Sequence, residues 1–586
     1  MGEWLGPAEL RVGLGCMRLS TDEDRDESRA SETIAAAAEA GITVFDTARA
    51  YGRGENELGH NERMLARELR RCGAAQRARI VTKGGMSRPG GAWVPDGRAR
   101  SLRADCEASL AALDGLAIDL YVLHAPDPRR PWHTSIRALA KLVADGLVAR
   151  IGIANVNRDQ LDEALELAPI AAVQIAVSPF DDRALRGGVL DRCVERGIAV
   201  LAHSPLGGPR RAARVTRNVD LTEIAGAHGA TAAEVALAWL LALAPNVVAI
   251  PGARRPETAR SAARAASLRL AAEELERLDA ALGRPRATSP RRPRGTRRDD
   301  VVVVMGVPGA GKSRVAHEYV ARGYLRLNRD ERGGSLRELS DELGDALAAG
   351  SRRVVLDNTY LTRASRSHLL EVAARHGASV RCIWLDTPLA QAQVNLVERL
   401  LDRFSSLPPP ERLAELARSE PGVLAPTSQM RAFRELERPS TDEGFATVEE
   451  IPFERTPSGG AQAGVLVAAG AVGLAGWEDA LANAGPSSPC LVFDWRPGAD
   501  PIELATAVDG VAAEVAGPVD AAVCPHPGGP PICWCRPPLP GLALAFARAR
   551  DVDLKRSTVL GASPAHRTLA STLGARYAEL RTSLLD

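Results

Sequence analysis

The sequence predicts an α/β protein in three parts: a TIM-type (β/α)8 barrel, a P-loop α/β domain and a Rossmannoid third segment. Three observations carry that expectation. Short apolar strands alternate with amphipathic helices about eight times over roughly the first 270 residues, the rhythm of a closed parallel barrel. Four valines, Val301 to Val304, run straight into Gly306-Val307-Pro308-Gly309-Ala310-Gly311-Lys312-Ser313, which reads as strand, glycine-rich turn and helix start. After a Pro/Gly-rich break at Thr456–Gly460 the α/β alternation resumes.

At 586 residues the chain exceeds what one hydrophobic core supports. A formal net charge of +1 gives no global attraction to nucleic acid or membrane. No apolar run of about 18 residues is present, so no membrane span is expected. Met1-Gly2-Glu3-Trp4 has neither a basic leader nor an apolar h-region, which argues against a signal peptide. Nine scattered cysteines, an odd number, do not suggest a disulfide framework. A cytoplasmic location is the expectation.

The barrel is expected over residues 1–283. Its strands are placed near Val12 and at Ile42–Asp46, Ile80–Lys83, Leu120–His124, Ile151–Asn155, Ala172–Ile175, Ala199–His203 and Val247–Pro251. Polar groups at the C-terminal ends of such strands usually carry chemistry. Here Phe45-Asp46-Thr47-Ala48 leads to Tyr51-Gly52, Thr82 is followed by Lys83, and Leu123 by His124. Asp46, Tyr51, Lys83 and His124 suit proton transfer. A lysine beside a tyrosine stabilises the phenolate and lowers its pKa, while an aspartate keeps the lysine charged.

Together with Asn56-Glu57, His124-Ala125-Pro126-Asp127, Gly152-Ile153-Ala154-Asn155, Gln174, Ser204-Pro205-Leu206-Gly207 and Ile250-Pro251-Gly252, these residues resemble the aldo/keto reductase superfamily. The resemblance implies hydride transfer from NADPH to a small aldehyde or ketone. It makes Tyr51 the general acid, Lys83 and Asp46 its tuning partners, and His124 the group orienting the carbonyl. Asn155 and Gln174 would hold the nicotinamide carboxamide, with Ser204, Leu206, Gly252 and Arg254 also in the cofactor site. Arg254 and Arg255 suit a 2′-phosphate. Three positions depart from the family: His203 replaces an aromatic residue, Ala154 a serine, and Ser261-Ala262 a Glu-Asn pair.

Residues 284–300, rich in arginine and proline, read as a flexible linker. The P-loop domain is expected over 301–455. Backbone N–H groups around Gly306, Gly309 and Gly311 would face the phosphates of ATP; Lys312 would reach the β/γ-phosphates and Ser313 would hold Mg²⁺. Asp330, beyond the second strand, is placed to take a proton from an acceptor hydroxyl, and Arg399 and Arg403 are lid candidates.

With Asp357-Asn358-Thr359, Ser365-Arg366 and Glu443-Gly444-Phe445…Ile451-Pro452-Phe453, this segment resembles the kinase half of polynucleotide 5′-kinases. That implies nucleic-acid 5′ ends as partners. Asp330 would activate the 5′-hydroxyl, Asp357 would sit near the acceptor end, and Arg363 or Arg366 would meet the acceptor's phosphate. Zeta-toxin-like and small-metabolite kinases share the P-loop and core and form the second reading, with barrel and tail as NADPH- or ligand-sensing modules.

After a linker at 456–463, the tail is expected over 464–586. Cys524-Pro525-His526 and Cys533-Trp534-Cys535 have ligand types and spacing that suit tetrahedral Zn²⁺. With Pro538-Leu539-Pro540-Gly541 the tail resembles phosphatases of the haloacid dehalogenase (HAD) superfamily. That family needs Asp-x-Asp after its first strand. Here Val465-Leu466-Val467 leads to Ala468-Ala469-Gly470, and the late Gly-Asp-x-x-x-Asp reads Gly561 to His566. A HAD-like domain without its nucleophile, keeping structural zinc, is what the resemblance implies.

Overall fold

The computed structural model describes residues 4–209, 211–282, 300–453 and 460–580. The chain divides into two compact units, Met1–Ser289 and Pro290–Asp586. The Arg/Pro-rich stretch read as a linker lies outside the described residues, apart from Asp300, which opens a strand. Of the second expected linker, residues 456–459 also lie outside them.

In the first unit eight parallel strands run in sequence order: β1 (Gly13–Gly15), β2 (Val44–Asp46), β3 (Arg79–Gly84), β4 (Ile118–Leu123), β5 (Ile151–Ala154), β6 (Ile170–Ala176), β7 (Ala199–His203) and β8 (Val247–Ile250). A parallel bridge between Val12 and Ala249 closes the ring. The strands read as continuous apolar runs because both faces are buried. Val44, Val81, Leu120, Val122 and Leu201 pack together as one core cluster, distinct from the larger one that the helices share. Helix starts are written locally: Asn157 with Gln160 and Thr231 with Glu234 form reciprocal capping boxes. A short hairpin, Met86–Ser87 with Val94–Pro95, follows β3. Among the described residues no single helix is long and apolar enough to cross a membrane.

The second unit holds two parallel five-stranded sheets. The first joins β9 (Asp300–Met305), β10 (Leu325–Leu327), β11 (Arg353–Asp357), β12 (Ser379–Asp386) and β13 (Thr447–Pro452) in the order β10-β11-β9-β12-β13. The second joins β14 (Val465–Ala468), β15 (Cys490–Trp495), β16 (Val519–Cys524), β17 (Thr558–Gly561) and β18 (Arg576–Glu579) in the order β16-β15-β14-β17-β18.

Each sheet has buried clusters of its own, but one helix of the first sheet's segment packs in the core of the tail. Helix Leu389–Phe404 belongs by connection to the first sheet. Its Leu396, Val397 and Leu400 nevertheless share one hydrophobic cluster with Trp534, Leu544 and Leu569 of the tail. Trp534 Nε1 donates to the Leu424 carbonyl (2.9 Å) and Gln391 Nε2 to that of Thr572 (3.3 Å). Burying this apolar face is the main stabilising term for such a helix.

Candidate functional site

The C-terminal ends of β2, β3, β4 and β6 bring four polar side chains together inside the barrel. Lys83 Nζ donates to Asp46 Oδ1 (2.7 Å) and to the Thr47 carbonyl (2.8 Å). Gln174 Nε2 donates to the same Asp46 oxygen (2.9 Å). Lys83 Nζ lies 4.8 Å from the centre of the Tyr51 ring. Burial works against the lysine's charge, but Asp46 and Tyr51 outweigh it and hold the ammonium above its ordinary pKa.

The tyrosine does not follow the simple expectation. Burial pushes its hydroxyl up to about 12 and wins over the opposing pull of Lys83. A protonated phenol fits a proton donor. His124 makes an edge-on contact with it, ring centres 5.7 Å apart. Burial, then the Lys83 charge, holds that imidazole well below its usual pKa, hence neutral. Its Nδ1 is buried with no hydrogen-bond partner.

Asn155 and Ser204 sit in the left-handed backbone region, at φ 58° and 51°, just beyond β5 and β7. Strain of this kind in non-glycine residues clusters at functional sites. Asn155 Nδ2 donates to the His124 carbonyl (3.0 Å), and its Oδ1 lies 3.1 Å from His203 Nε2. Burial lowers the His203 pKa to about 4. Gln174 Oε1 is buried and unpartnered, an acceptor suited to an amide N–H. Leu206 packs against the main barrel core. Gly252, Arg254 and Arg255 line a polar cavity of about 300 Å³ with Arg18 and Arg29. There Arg254 pairs with Asp24 (2.7 Å) and Asp22 (3.3 Å). The departing position Ser261 faces elsewhere: its Oγ donates to buried Glu234 (2.8 Å), and Ala262 is core.

In the second unit the glycine-rich turn links β9 to helix Lys312–Ala321. Gly306, Gly309 and Gly311 all take positive φ. A side chain at Gly309 would meet the Ala392 carbonyl at 2.4 Å, so no other residue fits there. Asn395 Nδ2 donates to the Gly309 carbonyl (2.7 Å) and Gln429 Nε2 to that of Pro308 (3.1 Å), which pins the turn. Lys312 Nζ folds back on the carbonyls of Gly306 (3.1 Å) and Val307 (3.0 Å). Desolvation lowers its pKa to about 8. Ser313 is exposed in the first helical turn.

Comparison with known proteins bears on the family of each unit. The model of the aldo/keto reductase family matches residues 11–282, and that of an AAA domain matches residues 301–419. A probable aldo-keto reductase 1 of Glycine max is 33% identical over 276 residues, covering 41% of this chain and 76% of its own length. The chain belongs to the aldo/keto reductase family. Aldo-keto reductase str7 of Strobilurus tenacellus is 29% identical over 273 residues, 42% of this chain and 78% of that protein. The crystal structure of an aldo-keto reductase from Klebsiella pneumoniae in complex with NADPH aligns at 27% identity. It covers 47% of this chain and 93% of that one, with a TM-score of 0.40.

The aldo/keto reductase barrel also holds two site residues that sequence reasoning passed over. Trp93, on the hairpin after β3, makes edge contacts with Tyr51 (6.2 Å) and His124 (5.8 Å). Arg88 stacks over that indole at 3.7 Å, with its Nε and one terminal nitrogen buried and unpartnered. The available signal was a lone tryptophan between Gly90-Gly91 and Pro95, directly after the Lys83 strand.

Of the candidates attached to the P-loop, the structure gathers some and disperses others. Asp330 is exposed on the short helix Arg329–Arg332. Asp357 is buried and held by Arg326 at 3.1 and 2.7 Å and by Asn328 at 2.6 Å. Arg399 lines a cavity beside Gly309 and Arg314.

Three of the arginines read from the sequence are engaged within the fold. Arg366 is wholly buried; it donates to both carboxylate oxygens of Glu443 (2.7 and 2.8 Å) and to the carbonyls of Tyr360 and Glu437. Arg363 is buried and bound to Asp442 and Ser440. Both arginines therefore clasp the chain around residues 437–443 and leave no guanidinium edge for an acceptor phosphate. Arg403 pairs with Glu420 and the Pro421 carbonyl at the surface.

The cysteine motif closes into a cluster. Cys524 Sγ lies 3.6 Å from Cys533 Sγ and 3.4 Å from Cys535 Sγ, and His526 Nδ1 lies 3.2 Å from Cys535. The four ligand atoms fall within 4.8 Å of one another. β14 ends in a short turn, Ala469–Ala471, with no carboxylate at those positions.

Proposed function

We propose that the barrel reduces an aldehyde or ketone with NADPH, and that the P-loop unit is an ATP-dependent kinase. NADPH in this site would supply the hydride for the carbonyl carbon. Tyr51 Oη gives its proton to the carbonyl oxygen, the Lys83 ammonium stabilises the phenolate left behind, and Asp46 keeps that lysine charged. Neutral His124 orients the carbonyl oxygen. Asn155 and Gln174 would hold the nicotinamide amide, and Arg254 with Arg255 would meet a 2′-phosphate once the Asp22 and Asp24 pairings yield. The observation that carries this reading is the buried, unpartnered Gln174 Oε1 beside the Lys83–Asp46 pair. The test is oxidation of NADPH by the purified chain with a panel of aldehydes. Cofactor binding without any turnover would favour a sensing role instead.

For the kinase, Lys312 and Ser313 take Mg-ATP and Asp330 accepts the proton of the acceptor hydroxyl. A polynucleotide 5′-hydroxyl is the first acceptor class. Because Arg363 and Arg366 are consumed by internal ion pairs, a small hydroxyl metabolite is the second reading. Labelled ATP offered with a 5′-hydroxyl oligonucleotide and with small alcohols and sugars separates the two. The cysteine cluster suits a structural zinc, held by three thiolates and His526 Nδ1. The HAD-like tail around it would lack phosphatase chemistry. Metal analysis of wild type against Cys533→Ser tests the zinc.

A further inference from the structure

We propose that the C-terminal α/β segment forms one wall of the nucleotide site, so that the purine base of ATP seats between the two sheets of the second unit. The proposal rests on the kinase reading. The two flanks of the P-loop differ. On the side of β10 and β11 stand Asp330 and Asp357. On the side of β12 and β13 the sheet opens into a cavity of about 800 Å³ that starts at Gly309, Ala310 and Gly311. Phosphates cradled by the turn point their transferable end at the carboxylate flank, so the nucleoside end extends to the other flank.

That cavity has the size of ordinary ligand sites, and its walls come from both sheets. Leu385 and Ile451 face it from the P-loop side; Leu544, Val552 and Leu554 face it from the tail. Apolar surfaces on both sides suit a flat aromatic base, and the Asp551 carboxylate in the lining is an acceptor for an exocyclic amino group. The wall is built rather than incidental. Arg548, which also lines the cavity, forms an ion pair with Asp402 of helix Leu389–Phe404, and that helix lies in the core shared with the tail.

The experiment uses the full chain and two probes, ADP and inorganic tripolyphosphate, measured by calorimetry. Tripolyphosphate reports the P-loop alone. Ala547→Trp, which fills the cavity from the tail side, is expected to weaken ADP binding at least about tenfold while tripolyphosphate binds as in wild type. Wild-type affinity of this variant for ADP would overturn the proposal. If the variant loses both probes, its fold is in question and Asp551→Asn decides: a loss of about threefold or more confined to ADP supports the wall, and unchanged ADP affinity overturns it. Wild type binding neither probe would remove the kinase reading itself, and this inference with it.

Discussion

Two buried ion pairs, Lys83–Asp46 in the barrel and Arg366–Glu443 in the second unit, look alike in exposure. Their side chains are 3% and 5% exposed in the first pair, and 0% and 4% in the second. Their surroundings differ. Around Lys83 hydrogen-bonding capacity is left over, at Gln174 Oε1 and His124 Nδ1. Around Arg366 the guanidinium makes four hydrogen bonds, two to Glu443 and one each to the Tyr360 and Glu437 carbonyls. At the first pair the spare capacity sits on groups that touch Asp46 or Tyr51, whereas the guanidinium of the second is committed to the fold. Its partner cannot be removed without leaving an unpaired charge in low dielectric.

The largest effect that tests this contrast is at the open pair. Tyr51→Phe removes the proton donor and is expected to lower kcat for carbonyl reduction by about 10²–10⁴-fold. Cofactor affinity and the melting temperature should barely move. Full turnover by that variant would end the barrel reading. At the closed pair Glu443→Ala is expected to cost about 3–5 kcal/mol of stability in the second unit. Denaturant unfolding measures it, and reductase turnover serves as the unaffected control. Unchanged stability with lost phosphoryl transfer would instead return Arg366 to an acceptor role.

A pH series probes the P-loop. Desolvation lowers the Lys312 pKa to about 8, and the ammonium is the form that meets phosphate. Nucleotide affinity should therefore hold below pH 8 and fall as pH rises through it, by up to about tenfold per unit beyond. Proton uptake on binding, read from calorimetry in buffers of different ionisation heat, checks the sign. Affinity that is flat from pH 7 to 9 would mean the lysine stays charged without ligand. The smallest effect is at the rim. Arg254→Ala should raise the KM for NADPH several-fold, consistent with about 1 kcal/mol for an exposed charge contact, and leave the KM for NADH unchanged.

The barrel was legible because its strands are uniformly apolar and end in polar residues, so Asp46, Lys83 and His124 stood out one after another. Tyr51 was legible as a neighbour of Asp46. Its raised pKa was not, since that depends on how completely the fold excludes water. Trp93 carried no periodic signal, as it sits on a hairpin of two-residue strands. Arg366 misled because its partner Glu443 lies 77 positions away, and no local pattern shows that one cancels the other. In the tail, β14 and β15 were readable as apolar runs. β18, exposed along much of its length, was not.

Helix Leu389–Phe404, with its apolar face in the core of the tail, has a thermodynamic consequence. That helix also pins the glycine-rich turn through Asn395, so what stabilises the tail by binding it steadies the turn as well. Metal at the cysteine cluster would then raise the temperature at which the P-loop is lost. Nucleotide at the loop would in turn steady the segment that carries Cys524, Cys533 and Cys535.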